Sequence, residues 1–320
     1  MIEVKKLPES KVEITAEISA DEFNHAFAET VREAQKNLEL PGFRKGMVPE
    51  KQIIARVGEE NLLVDAARRS INKRWEHLMN EAGLEPVGKP DVSLTKIAKG
   101  NPLGFKIVIS ILEEITLPDY KAIAKELFSI NPPNIEVTDE EVLKIFDYVK
   151  QNNKNLPPDA DENKLKEAIR QNLRFEKEQK ERDKLRAAVI EAIAKKSNIR
   201  VPDVVIDAEL EKMIGELQAN LQQMGLGWEQ YLSQIKKTEE ELRGAWREDA
   251  RKRAAFGLIL REIVKKENIS TPDNMIHSKT EEVLRAMSDE ERNKTSRERV
   301  SDYVRSRLLH EMVFDLLEKG

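Results

Sequence analysis

The chain has no cysteine. That excludes disulfides, thiolate metal sites and cysteine nucleophiles, and is compatible with a reducing compartment. Aromatic residues are scarce, 5% of 320, while charged residues make up 35% and hydrophobic ones 39%. Such a mix suits long, solvated helices better than one large globular core. The length points to two domains, or one elongated one. No run approaches the ~18 apolar residues that a membrane span requires. The opening Met1-Ile-Glu-Val-Lys-Lys-Leu-Pro8 lacks the apolar stretch of a signal peptide. A cytoplasmic protein without membrane contact is expected. Positive charge is not in excess either. A net charge of −5 argues against bulk attraction to DNA, so any polyanion contact must come from a local basic tip.

Catalytic signatures are missing as well. The four histidines, His25, His77, His277 and His310, lie far apart, with no metal-ligand spacing between them. There is no Gly-x-x-x-x-Gly-Lys and no Gly-x-Gly-x-x-Gly. Carboxylate pairs such as Glu113-Glu114 belong to a charge-rich, solvated background. No enzyme activity, cofactor or metal is expected.

What is present is a stretch unlike the rest: Leu38-Glu-Leu-Pro-Gly-Phe-Arg-Lys-Gly-Met-Val-Pro-Glu50. Gly42 and Gly46 bracket Phe43, Arg44 and Lys45, and Pro41 and Pro49 bracket the glycines. Proline lacks a backbone donor and glycine frees the backbone, so a helix cannot run through. Helical patterns on both sides predict a short exposed tip between two helices. Arginine offers a planar fork of donors for phosphate or carboxylate, lysine a point charge, and phenylalanine an apolar plug. The plain alternative is a helix-to-helix turn with solvated cations.

Residues 1–115 mix strands and helices. Val12, Ile14, Ala16 and Ile18 alternate with polar residues as in a half-buried strand. Ser19-Ala-Asp-Glu22 is a capping box, followed by Phe23, Phe27, Val31, Ala34 and Leu38 at helical spacing. After Pro49, Ile53, Ile54 and Val57 mark a short helix ending at Gly58. Leu63, Ala67, Ile71, Trp75 and Leu78 mark a longer one ending at Gly83. Strands are predicted around 92–97 and 103–115. The pattern is an α+β domain, an antiparallel sheet with helices on one face. Residues 116–137 hold Leu117-Pro118-Asp119-Tyr120 and Asn131-Pro132-Pro133-Asn134. The prolines predict an extended connector rather than a helix. It should lie along the second domain, since Leu127, Phe128 and Ile130 need cover.

Residues 138–320 read as an elongated all-α domain with helical arms. Thr138-Asp-Glu-Glu141 and Thr238-Glu-Glu-Glu241 open helices, a long helix spans about 162–196, and 151–161 is a polar break. Ile206, Leu210, Met213, Leu217, Leu221 and Met224 recur at intervals of four and three. Taken singly, such stripes are core or coiled-coil seams. Many long charged helices with few aromatics cannot close around every stripe, so some apolar faces should stay open, and open apolar patches usually bind. Met213, Met224, Met275, Met287 and Met312 fall here, and methionine suits surfaces that accept many partners. With Leu217 they are the candidate substrate contacts.

The whole Gly42-Phe-Arg-Lys-Gly46-x-x-Pro49 string resembles the ribosome-docking signature of trigger factor, a bacterial chaperone family. The order of elements in 1–115 resembles that family's ribosome-binding domain. Ile135-Glu-Val-Thr-Asp-Glu-Glu141, Asn198-Ile-Arg-Val-Pro-Asp203 and Phe256-Gly-Leu-Ile-Leu-Arg-Glu-Ile263 resemble its C-terminal chaperone domain, in family order. One departure stands out. The family usually carries an FKBP-type prolyl isomerase domain where this chain has only the break at 151–161. The resemblance implies an ATP-independent chaperone with no cofactor. It would dock at the polypeptide exit of the large ribosomal subunit, on protein and RNA, through Gly42, Phe43, Arg44, Lys45, Gly46 and Pro49. A helical cradle would shield nascent or unfolded chains. The resemblance also implies a possible homodimer off the ribosome. Two other classes stay open: a ribosome-independent assembly chaperone or dimeric scaffold, and an isomerase with an unrecognised site.

Overall fold

Strand β2, Lys11–Ile18, alternates between a buried and a solvated side, and this alternation organises the N-terminal part. The computed structural model describes residues 2–130, 135–152 and 161–319. In it β2 pairs antiparallel with β1 (Ile2–Leu7) and β4 (Leu103–Ile111), and β4 pairs with β3 (Pro86–Lys96), giving the order β1-β2-β4-β3. The register sets Ile14 opposite Ile107 and Ala16 opposite Phe105, so the apolar residues of both central strands face one way. Helices α1 (Ala20–Asn37), α2 (Glu50–Val57) and α3 (Glu59–Ala82) bring Phe23, Phe27, Ile53, Leu62 and Ile71 into the same core. Each such side chain contributes about 1.5–3 kcal/mol by leaving water. At the start of α1, Ser19 Oγ accepts the Glu22 N–H as a cap.

Three details differ from the sequence reading. β1 was not foreseen. It is an edge strand whose Glu3, Lys5 and Lys6 are exposed, and such charge hides the alternation while discouraging further pairing. β3 begins at Pro86 rather than near 92, with an irregularity between Val87 and Asp91. β4 ends at Ile111, short of Glu113-Glu114.

The described residues form two compact units. One joins 1–114 with 200–254, and the other joins 115–199 with 255–320. In the first, α7 (Asp203–Gln223) packs on β3. A Cβ on Gly88, which has φ +78°, would lie 2.6 Å from Val204 Cγ2, so only glycine fits there. Helix α8 (Trp228–Ile235) follows. Helix α9 (Glu239–Lys266) opens on a reciprocal capping box between Thr238 and Glu241. Ile206, Leu210, Ile214 and Ala250 form a small core there. Around it Arg243 bonds Glu211 and Glu239, and Arg247 bonds Asp203 and Asp207.

The second unit holds α4 (Tyr120–Ile130), α5 (Asp139–Asn152), α6 (Glu162–Lys196), the end of α9, α10 (Asp273–Ala286), α11 (Asp289–Lys294) and α12 (Arg297–Lys319). Residues 120–130 are therefore helical, where an extended connector was predicted. The prolines only flank the helix: Pro118 precedes it, and Asp119 Oδ1 accepts the Ala122 N–H inside its first turn. The predicted cover for Leu127 and Phe128 is present, since both pack on the cluster of Tyr120, Ile123, Val189, Ile193, Ile259, Ile263 and Val313. Asp161 caps α6 by accepting the Asn163 and Lys164 N–H groups. Most of the predicted break at 151–161 lies outside the described residues.

Candidate functional site

The stretch between α1 and α2 is two consecutive turns on a clamped base. The Phe43 N–H donates to Leu40 O (3.1 Å) and the Met47 N–H to Arg44 O (2.9 Å). Gly42 (φ 91°) and Gly46 (φ 82°) each take the third position of their turn, where the left-handed backbone excludes ordinary side chains. Nothing lies within 4 Å of a Cβ at either position, so backbone conformation rather than space demands glycine. At the base, Gln35 Nε2 donates to Val48 O (2.7 Å), Val48 is fully buried, and Leu38 and Leu40 pack on the core. Pro49 leads into α2 with φ −60°, a value its ring already sets.

What the base holds steady, the turns display. Phe43 is 42% exposed, and Arg44 and Lys45 are exposed, Lys45 lying 3.5 Å from Glu39. The structure thus brings Gly42, Phe43, Arg44, Lys45, Gly46 and Pro49 together in one projecting loop. It adds a residue that the sequence reading left without a role. Met47, the last residue of the second turn, is 72% exposed. Its position between a turn glycine and a buried valine was the available clue. The loop can offer two apolar side chains and two cations to one partner surface.

The candidate substrate contacts are not gathered in this way. Met213, Leu217 and Met224 belong to the first unit, and Met275, Met287 and Met312 to the second. Met213 packs on the Ile206 cluster and Met287 on the cluster of Ile276, Val300 and Val304. Leu217 is half-buried, while Met224 (78%) and Met275 (45%) are exposed. Met312 and Leu316 line an open cleft of about 510 Å³ with Lys121, Asp315 and Lys319. The sequence reading missed larger exposed apolar groups on α5 and α6, namely Leu143, Tyr148 and Phe175. Periodicity places a residue on a face without saying whether that face is covered.

Strongly perturbed ionisable groups often mark chemistry, but here they mark ties between helices. Burial, then the hydrogen bond to Glu267, push the Tyr120 hydroxyl well above its ordinary range. The Lys121 bond, then the Tyr120 bond, hold the Glu267 carboxyl below its own. Lys177 does the same to Glu141. Among the described residues no histidine or carboxylate group is arranged to hold a metal ion, and no helix is long and apolar enough to cross a membrane.

Comparisons with known proteins cover nearly the whole chain. Residues 1–149 match the family described as bacterial trigger factor protein, and residues 163–319 match that described as its C-terminus. The chain is 24% identical over 387 aligned residues to the trigger factor of Halothermothrix orenii, covering 89% of this chain and 90% of that one. It is 23% identical over 376 residues to the trigger factor of Carboxydothermus hydrogenoformans, covering 84% and 87%. These alignments run longer than the 320 residues of the chain, so the relatives carry sequence without a counterpart here. A solved structure described as "Promiscuous Substrate Recognition in Folding and Assembly Activities of the Trigger Factor Chaperone" superposes with a TM-score of 0.55, at 14% identity over 99% of both chains.

Proposed function

The chain belongs to the trigger factor family, in a form without the middle prolyl isomerase domain, and we propose that it is an ATP-independent chaperone that docks at the ribosomal polypeptide exit and shields emerging chains. Residues 1–115 would serve docking, 138–320 would form the client-binding cradle, and 116–137 would join them. The setting would be the cytoplasm, and two copies would pair off the ribosome, as the family resemblance implies. The protein would bind rather than catalyse.

The observation that carries this proposal is the loop. Its geometry is held by Gly42, Gly46 and the Gln35–Val48 bond, yet its side chains make little use of the fold. A loop so ordered and so exposed is built for an external partner. Phe43 and Met47 suit an apolar notch of a ribosomal protein, and Arg44 and Lys45 suit phosphate or carboxylate.

Clients call for something different. An unfolded chain varies in sequence and has to be released, which favours scattered weak apolar contacts over one deep pocket. Exposed Met224 and Met275, the cleft at Met312, and the charged residues around them fit that need.

The test is co-sedimentation with ribosomes, of the native protein and of a variant carrying Phe43→Ala, Arg44→Ala and Lys45→Ala. The variant should stay folded, since an exposed tip contributes little to stability, and should lose ribosome binding. It should still suppress aggregation of a diluted, denatured client without ATP. If the variant pellets like the native protein, docking through this loop is wrong, and assembly of folded partners becomes the better account.

A further inference from the structure

The docking loop rises from a surface whose charges do not balance. Between Glu29 and Val57 stand four acidic residues, Glu29, Glu33, Glu39 and Glu50. Each has a neighbour: Glu29 faces His25 at 3.5 Å, Glu33 pairs with Arg69, Glu39 lies 3.5 Å from Lys45, and Glu50 4.0 Å from Lys99. Three of these four neighbours come from outside the stretch. Arg32, Lys36, Arg44, Lys51 and Arg56 are consequently left exposed, with no ion pair or hydrogen bond among the described residues.

Position strengthens the point. Arg32 and Lys36 are four residues apart on α1, so they share its outer face in the last turns before the loop. The Gln35–Val48 bond draws the two ends of the loop together, which sets Lys36 and Lys51 at its two feet. Lys51 occupies the first turn of α2, where the helix dipole disfavours a cation, so the fold itself gains nothing from it.

We propose that Arg32, Lys36, Lys51 and Arg56 form a cationic collar that grips RNA phosphates around the point where the loop docks. This rests on the ribosome-docking proposal and adds a second, purely electrostatic layer to it. RNA fits better than a lipid surface. The apolar residues of α1 and α2, among them Phe27, Val31, Ile53, Ile54 and Val57, face the core, leaving no apolar helix face to sink into a membrane. Phosphates of structured RNA present the repeated, fixed negative charges that scattered single cations on two helices can match.

The experiment measures binding to purified large ribosomal subunits from about 50 to 200 mM salt, where counterion release dominates. Compared with the native protein are the triple loop variant, a collar variant (Arg32→Gln, Lys36→Gln, Lys51→Gln, Arg56→Gln) and a charge-matched control (Lys237→Gln, Lys252→Gln, Arg285→Gln, Arg305→Gln). All substituted positions are exposed, so each variant should fold. Each lost phosphate contact should flatten the slope of log K against log salt by about 0.7–0.9, hence by about 3 for the collar variant. At the lowest salt that variant should bind at least tenfold more weakly, with the control unchanged.

A collar variant that matches the control, while the loop variant fails to bind, overturns the collar and leaves loop docking standing. Unaltered binding by the loop variant overturns docking itself. Weaker binding at an unchanged salt slope also counts against RNA. So does native-like ribosome binding by a collar variant that has lost flotation with phosphatidylserine vesicles.

Discussion

The N-terminal sheet and the helical segments bury their apolar residues in different ways. Between the sheet and α1–α3 lies a single core, drawn entirely from the first 111 residues and centred on Phe23, Ile14, Phe105 and Ile107. The helical segments divide theirs among four smaller clusters, and α6 and α12 are also tied by charge. There Arg186, 7% exposed, bonds Glu318 and Glu311 and stacks over Phe314, and Arg182 joins it on Glu318. Area burial is non-directional and tolerates little loss of volume, whereas an ion-paired seam depends on both partners being present. A small domain presenting one fixed loop gains from the first. Long helices offering several apolar faces gain from the second, because charge keeps those faces soluble.

The sharpest way to break this comparison is to truncate the sheet core. Phe105→Ala should cost about 3–5 kcal/mol, read from denaturant unfolding of the intact protein. Trp246→Ala, at a half-buried position beside the Ile206 cluster, should cost distinctly less. Equal losses would mean that both parts rely on packing alike. Next in size is Arg186→Ala. It leaves Glu318, half-buried, to Arg182 alone and removes the contact over Phe314, and should cost about 1.5–3 kcal/mol, below the 3–5 of a fully buried pair broken outright. Replacing Arg186 by Met and Glu318 by Leu together should recover much of that loss. A double variant no better than the single would show that the arginine matters for shape rather than charge.

The smallest effect follows from titration. Because Lys121 and Tyr120 hold the Glu267 carboxyl below its ordinary range in the folded protein, its contribution is complete above about pH 4.3, the unfolded glutamate value. It is lost as the pH falls through the lower, folded value. The stability gap between the native protein and Glu267→Gln should therefore be constant near neutrality and close on acidification. A gap that widens in acid would contradict the tie.

The loop was legible in the sequence because its cause is local. Pro41-Gly42 and Lys45-Gly46 fix turn geometry without help from the rest of the chain, and both turns are found. The long helix predicted over 162–196 is found at Glu162–Lys196, since Asp161 and the asparagine after Lys196–Ser197 punctuate it locally too. Where neighbours decide, local signals failed. Helix α4 survives between prolines because Ile123, Ala124, Leu127 and Phe128 have a core to join. Helix α8 was not foreseen, its half-buried Trp228 packing on the Ile206 cluster, as Met213 and Trp246 do. The methionines share one spacing rule yet meet different fates, Met213 against a core and Met224 in solvent. Only tertiary structure separates a seam from an open face.

The chain passes between its two units three times, at 114, 199 and 254, and this orders events during its own synthesis. The sheet core is complete once Ile111 has emerged, so the loop between α1 and α2 stands on a finished base early. The cluster around Tyr120 waits for Val313 and Leu317. At ordinary elongation rates that is roughly 10–40 s later. Once made, α4 and the apolar half of α6 spend the rest of that interval without their full cover, so the newborn protein passes through the same exposed condition as the chains it is proposed to shield.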